Sequence, residues 1–170
     1  MILDLTEIEG DPRPFEYVVP AADLDFDDDR LKLTGDVNVS CEVVRRAAQV
    51  DVDGSIAGMA ETECARCLRS VPWSIGIEFS VSFVTPENFT NAKEREVSAS
   101  DLDTDVLDSD RIELNEIARE QILLNLPEQV LCSPDCKGLC PQCGADLNLL
   151  DCNCDQTEVD PRWAALKNIR

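Results

Sequence analysis

Eight of the chain's nine cysteines fall into four short-spaced pairs, and the chain contains no histidine at all. The pairs are Cys64 with Cys67, Cys132 with Cys136, Cys140 with Cys143, and Cys152 with Cys154. Without histidine the Ser-His-Asp and Cys-His constellations, the HExxH zinc-protease helix and every histidine-ligated metal site are excluded. No GxxxxGK or GxGxxG loop is present to cradle a phosphate either. The specialised chemistry of this chain therefore resides in sulfur.

What the sulfur is for depends on the redox compartment. Residues 1–10 are acidic and weakly alternating, with no basic leader followed by an apolar stretch, and no later segment approaches the ~20 apolar residues of a membrane span. These features predict a cytoplasmic protein with no membrane partner, and the missing histidine and phosphate loops predict no small-molecule substrate. In a reducing compartment, paired cysteines at such spacings are zinc ligands more often than disulfides.

The 170 residues suffice for one domain with a small appendage, and a 5% aromatic content means a core built mainly from Val, Ile, Leu and Ala. Val37, Val39, Cys41 and Val43 occupy alternate positions. Val50, Val52, Ile56 and Ala60 keep one parity, and Ile75, Ile77, Phe79, Val81 and Phe83 alternate again. Period two over three consecutive segments predicts antiparallel strands with one buried face, as a sheet or a partly open barrel. Gly54 and Gly58 suggest a bulge or bend in the second of them. Residues 87–110 lack a usable period and read as a loop anchored by Val97, Leu102, Val106 and Leu107.

A helix is expected near 113–125, with Leu114, Ile117, Ala118, Ile122 and Leu124 on its packed arc. Asp110 and Glu113 allow a capping box, although residues 110–114 read equally well as a short strand ahead of the helix. The expected division is a β domain with its helix over 1–127, a cysteine-rich tail over 128–159 and a short terminal helix over 160–170. The fold class is thus α+β, mainly antiparallel β, with one packed amphipathic helix and a zinc-ribbon-like tail.

Cys140-Pro141-Gln142-Cys143-Gly144 has the form of a zinc-ribbon knuckle. Two intervening residues let both thiolates converge on one tetrahedral ion, and the glycine permits the left-handed turn that aims backbone N–H groups at sulfur. Cys152 and Cys154 lie close enough to complete a four-thiolate site. Cys64 and Cys67, between two predicted strands, form a second knuckle, and Cys132 with Cys136 would complete a second site that ties the tail to the strand domain. The pairing stays open, since Cys132 and Cys136 could instead join Cys140 and Cys143. Two structural zinc ions are expected, each worth on the order of 10 kcal/mol of apparent binding free energy. Cys41, alternating with valines, reads as core packing.

The segment Cys64-Ala65-Arg66-Cys67-Leu68, the helix from Asn115 to Pro127, the tail from Cys132 to Asn148 and the ending Asp160-Pro161-Arg162-Trp163-Ala164-Ala165-Leu166 occur in the order seen in the YceD family, which this chain resembles over its full length. The resemblance implies a role in the accumulation or processing of large-subunit ribosomal RNA and no known enzymatic activity, so a non-enzymatic protein is expected. A formal charge of −20 opposes non-specific phosphate binding and suits a basic ribosomal protein as partner. Contact with precursor ribosomal RNA would need a local basic surface, for which Arg45, Arg46, Arg66 and Arg69 are the candidates. The rival expectations are a thiol-disulfide oxidoreductase using Cys64 and Cys67, or a zinc-ribbon interaction module in transcription.

Overall fold

The structure, a computed structural model, describes residues 1–8, 10–28, 30–46, 49–85, 104–107, 109–154 and 162. The expected terminal helix over 160–170, apart from Arg162, and Val97 and Leu102 of the expected loop lie outside the described residues. Three long strands carry the architecture: β4 (Val37–Arg46), β5 (Gln49–Glu63) and β6 (Ser70–Val84). In β4 burial alternates strictly from Val37 to Val43, so the period in the sequence is the period of the pleat. Ahead of them run β1 (Ile2–Asp4), β2 (Arg13–Val19) and β3 (Leu31–Leu33); β7 (Thr104–Val106) and β8 (Arg111–Glu113) follow.

Six strands form one sheet in the order β2-β4-β5-β6-β7, with β3 also paired to β5. The fifteen residues of β5 carry two partners end to end along one edge. β4 takes the stretch from Gln49 to Ala57, and β3 takes Ala60 to Thr62. The ladder between β4 and β5 runs without a bulge at Gly54, which removes the bulge from the two readings of that glycine. Gly54 instead allows close approach, because a Cβ there would lie 2.6 Å from the Ser40 carbonyl oxygen and 2.8 Å from the Phe79 ring. β2 with β4, β4 with β5 and β3 with β5 pair antiparallel, whereas at the far end of the sheet β7 runs parallel to β6 inside a segment expected to be loop.

β1 and β8 pair as a separate two-stranded sheet, with Leu3 opposite Ile112. β8 leads directly into α1 (Leu114–Leu124), so residues 111–113 take the strand alternative and Glu113 caps the helix without a side-chain bond. Leu114, Ile117, Ala118 and Ile122 are buried in one core with Val37, Val43, Val52, Ile56 and Ile75. Leu124 is 76% exposed, so the packed arc ends one residue short of the expectation. Cys41 is buried in this core, as alternation with the valines predicts.

The chain divides into two compact units. One comprises Met1–Thr62 and Pro72–Glu128, and the other Glu63–Val71 and Gln129–Arg170. The short connection between β5 and β6 thus belongs with residues more than sixty positions further along.

Candidate metal centres

Both knuckles are built by the same backbone bonds. Leu68 N–H donates to the Cys64 carbonyl and Gly144 N–H to the Cys140 carbonyl, each at 2.9 Å. Cys64 N–H donates to the Arg69 carbonyl and Cys140 N–H to the Ala145 carbonyl, each at 2.8 Å. The residue after the second cysteine is left-handed in both turns, Leu68 at φ 59° and Gly144 at φ 74°. A glycine accepts that conformation freely and a leucine is strained by it.

Four sulfurs gather around each knuckle. Cys64, Cys67, Cys132 and Cys136 form one quartet and Cys140, Cys143, Cys152 and Cys154 the other, with all sulfurs of a quartet within 4.8 Å of one another. Cys132 and Cys136 thus lie with Cys64 and Cys67 and not with Cys140 and Cys143. Cys64 and Cys136 sulfurs are 3.8 Å apart, and those of Cys67 and Cys132 3.5 Å. Zinc–sulfur bonds of about 2.3 Å in a tetrahedron place sulfurs about 3.8 Å apart, whereas a disulfide needs about 2.05 Å. Either quartet could hold a metal ion.

The first cysteine of each knuckle is the one best prepared as a thiolate. The N–H groups of Cys67 and Arg66 draw the Cys64 thiol down to about 6, and those of Cys143 and Gln142 do the same for Cys140. Opposite them, hydrogen bonding to Cys136 and Cys67 pushes Cys132 up to about 12, and hydrogen bonding to Cys143 pushes Cys154 to the same value. Four thiolates at this separation repel, so full ionisation calls for a cation at the centre.

Burial separates the two quartets. Cys64, Cys136 and Cys67 are 0%, 2% and 7% exposed, with Val71, Leu131 and Leu139 packed against them, and Cys132 is half-buried. In the second quartet only Cys140 is buried, while Cys143 is exposed and Cys152 and Cys154 are half-buried. The first quartet also has an outer layer that spacing did not reveal. Asn148 donates its side-chain N–H to the Cys136 sulfur at 3.4 Å, and its side-chain oxygen accepts from Lys137 N–H at 2.8 Å. Gly138, at φ 78°, lets the Leu139 N–H reach the Arg66 carbonyl; a Cβ on Gly138 would lie 3.0 Å from that oxygen. The only prior signal for Asn148 was its place at the end of the tail motif.

All four arginines considered for RNA contact are engaged within the chain. Arg45 donates to the Leu5 carbonyl and pairs with Asp110 at 3.1 Å, and Arg46 pairs with Asp51. Arg66 donates to the Cys136 carbonyl at 2.8 Å and Arg69 pairs with Asp146 at 3.1 Å. The first two lie in one unit and the last two in the other. No helix among the described residues is long and apolar enough to cross a membrane.

Comparison with known proteins adds a family. The profile described as large ribosomal RNA subunit accumulation protein YceD matches residues 52–170. A Mycobacterium tuberculosis protein is 35% identical over 115 residues, covering 68% of this chain and 53% of its own length. The Bacillus subtilis protein YlbN is 32% identical over 125 residues, covering 73% and 68% respectively. A Zea mays protein named large ribosomal RNA subunit accumulation protein YCED homolog 1, chloroplastic, is 30% identical over 167 residues, covering 82% and 57%. The chain thus spans about half the length of the mycobacterial relatives it matches. No solved structure matches it.

Proposed function

The chain belongs to the YceD family, and from that premise we propose that it is a non-enzymatic, cytoplasmic ribosome-biogenesis factor. It supports accumulation or processing of large-subunit ribosomal RNA by holding a basic ribosomal protein. The observation that carries the choice of partner is the distribution of charge. The unit made of Met1–Thr62 and Pro72–Glu128 contains 28 acidic against 9 basic residues, and the cysteine unit contains 7 against 6. Nearly the whole surplus of −20 therefore sits on the β unit. Such a field attracts a cationic protein and repels phosphate.

Each quartet holds one zinc ion as a structural tie, with Cys64, Cys67, Cys132 and Cys136 as ligands of the first and Cys140, Cys143, Cys152 and Cys154 of the second. Sulfur spacings of 3.5 and 3.8 Å in the first support this. A closed four-thiolate shell leaves no open position for substrate, which weighs against a zinc hydrolase. Burial of Cys64 and Cys67 weighs against an oxidoreductase, whose attacking thiol must meet its substrate.

Precursor ribosomal RNA as direct partner is the second reading. The engagement of Arg45, Arg46, Arg66 and Arg69 disfavours it. Affinity capture with the full chain, before and after ribonuclease treatment, decides between them. A ribosomal protein retained after treatment is the expected result, and its loss would transfer the proposal to RNA.

A further inference from the structure

The two quartets share a donor set and differ in access, and we propose that the second is an oxidant-sensitive metal site with Cys143 as the residue modified first. This rests on the zinc reading above and goes beyond it, since it assigns the two ions different fates. A peroxide must touch sulfur to react, and susceptibility follows thiolate character and exposure. Cys143 is the exposed cysteine among those described, and the two half-buried ligands beside it are Cys152 and Cys154. In the first quartet Cys64, Cys67 and Cys136 are buried with Val71, Leu131 and Leu139 packed against them, and Cys132 is half-buried, so none of its sulfurs is exposed as Cys143 is. Asn148 additionally occupies the Cys136 sulfur with a donated N–H. The Cys143 sulfur has a resolving partner within reach in Cys154, because every sulfur of the quartet is within 4.8 Å of the others.

The chemistry balances with a peroxide as the named oxidant. The Cys143 thiolate attacks one peroxide oxygen: an S–O bond forms, the O–O bond breaks and hydroxide leaves, giving a sulfenic acid. The Cys154 thiolate then attacks that sulfur, forming S–S as the S–O bond breaks and a second hydroxide departs. Two thiolates have lost two electrons and one hydrogen peroxide has become two hydroxides. The remaining pair, Cys140 and Cys152, cannot close a four-thiolate shell, so the metal held there is lost. The first quartet keeps its ion.

The test uses the full chain as purified. Bound zinc is counted, hydrogen peroxide is added, released zinc is read with a chromophoric chelator, and oxidised cysteines are mapped by mass spectrometry. The expected result is release of one of two equivalents with Cys143 in the new disulfide. Sampled early in the reaction, Cys143 should be the first sulfur oxidised, with circular dichroism confirming that the fold persists; first modification at Cys152 or Cys154 would overturn the assignment. Release of both equivalents together, release of none, or a disulfide within Cys64, Cys67, Cys132 and Cys136 would overturn the inference and leave the zinc reading standing. A purified chain free of zinc would instead overturn the zinc reading on which the inference rests.

Discussion

Cys64 is wholly buried and Cys143 is exposed, although each belongs to a CxxC turn closed by the same pair of backbone hydrogen bonds. The difference lies in where the other half of each quartet comes from. Cys132 and Cys136 arrive from 65 and 72 residues away along the chain, bringing Leu131 and Leu139 with them as cover. Cys152 and Cys154 follow Cys143 after a short loop whose Leu149 and Leu150 stay 71% and 65% exposed and so give no comparable cover. A tetrahedral thiolate site can be completed by either route, but only the long-range one also builds a small core around it.

The largest effect expected from this contrast concerns zinc content and its consequences. Cys64→Ser should remove one zinc and open the first quartet, so that Cys132 and Cys136 become reactive to a thiol reagent in native buffer. Cys152→Ser should also remove one zinc while leaving those two cysteines protected. Equal labelling of Cys132 in both variants would erase the distinction between the quartets. Next in size is Asn148→Ala, which removes the N–H donated to Cys136. Outer-layer partners of metal ligands are commonly worth about 10- to 100-fold in affinity. Competition with a chelator should therefore show one of two sites weakened by about that factor, and no change at either would deny Asn148 its role.

Smaller effects come from the turns themselves. Gly138→Ala should lower stability by about 1–2 kcal/mol through its left-handed backbone, plus the cost of a 3.0 Å approach to the Arg66 carbonyl. Gly144→Ala carries the backbone cost alone, having nothing within 4 Å. Denaturant midpoints should therefore fall further for Gly138 than for Gly144. The smallest effect runs the other way. Leu68 is 58% exposed and left-handed, so Leu68→Gly should stabilise the first knuckle by about 1 kcal/mol or less, after the added freedom of the unfolded glycine is subtracted. A loss on this substitution would mean that the leucine side chain contributes more than its conformation costs.

Much of this was legible in the sequence where one local rule governed. β4, β5 and β6 follow from alternation at period two, because one buried face imposes it residue by residue. The burial of Leu114, Ile117, Ala118 and Ile122 follows from helical spacing in the same way. The CPxCG knuckle declared itself through its glycine. Less visible was whatever depended on distant chain. Thr104–Val106 has too few residues to show a period, and only its parallel pairing with Ser82–Val84 makes it a strand. Leu124 sits on the correct arc but beyond the reach of the core. The arginines illustrate the same limit: residue type marked Arg45 and Arg69 as cationic, but Asp110 and Asp146 are 65 and 77 positions away. The pairing of cysteines into quartets likewise had two solutions on spacing alone.

The long separation between Cys67 and Cys132 also has a consequence in time. On a ribosome adding about 5–20 residues per second, the first knuckle leaves the exit tunnel roughly 3–13 s before the residue 65 positions later that completes it. Through that interval Cys64 and Cys67 are a two-thiolate site with no cover. The second quartet, contained within residues 140–154, has all four ligands within about 1–3 s of synthesis at the same rate. The site that is best shielded in the finished protein is therefore the one whose first half is longest exposed during its making, and metal availability to the nascent chain bears on it more than on its neighbour.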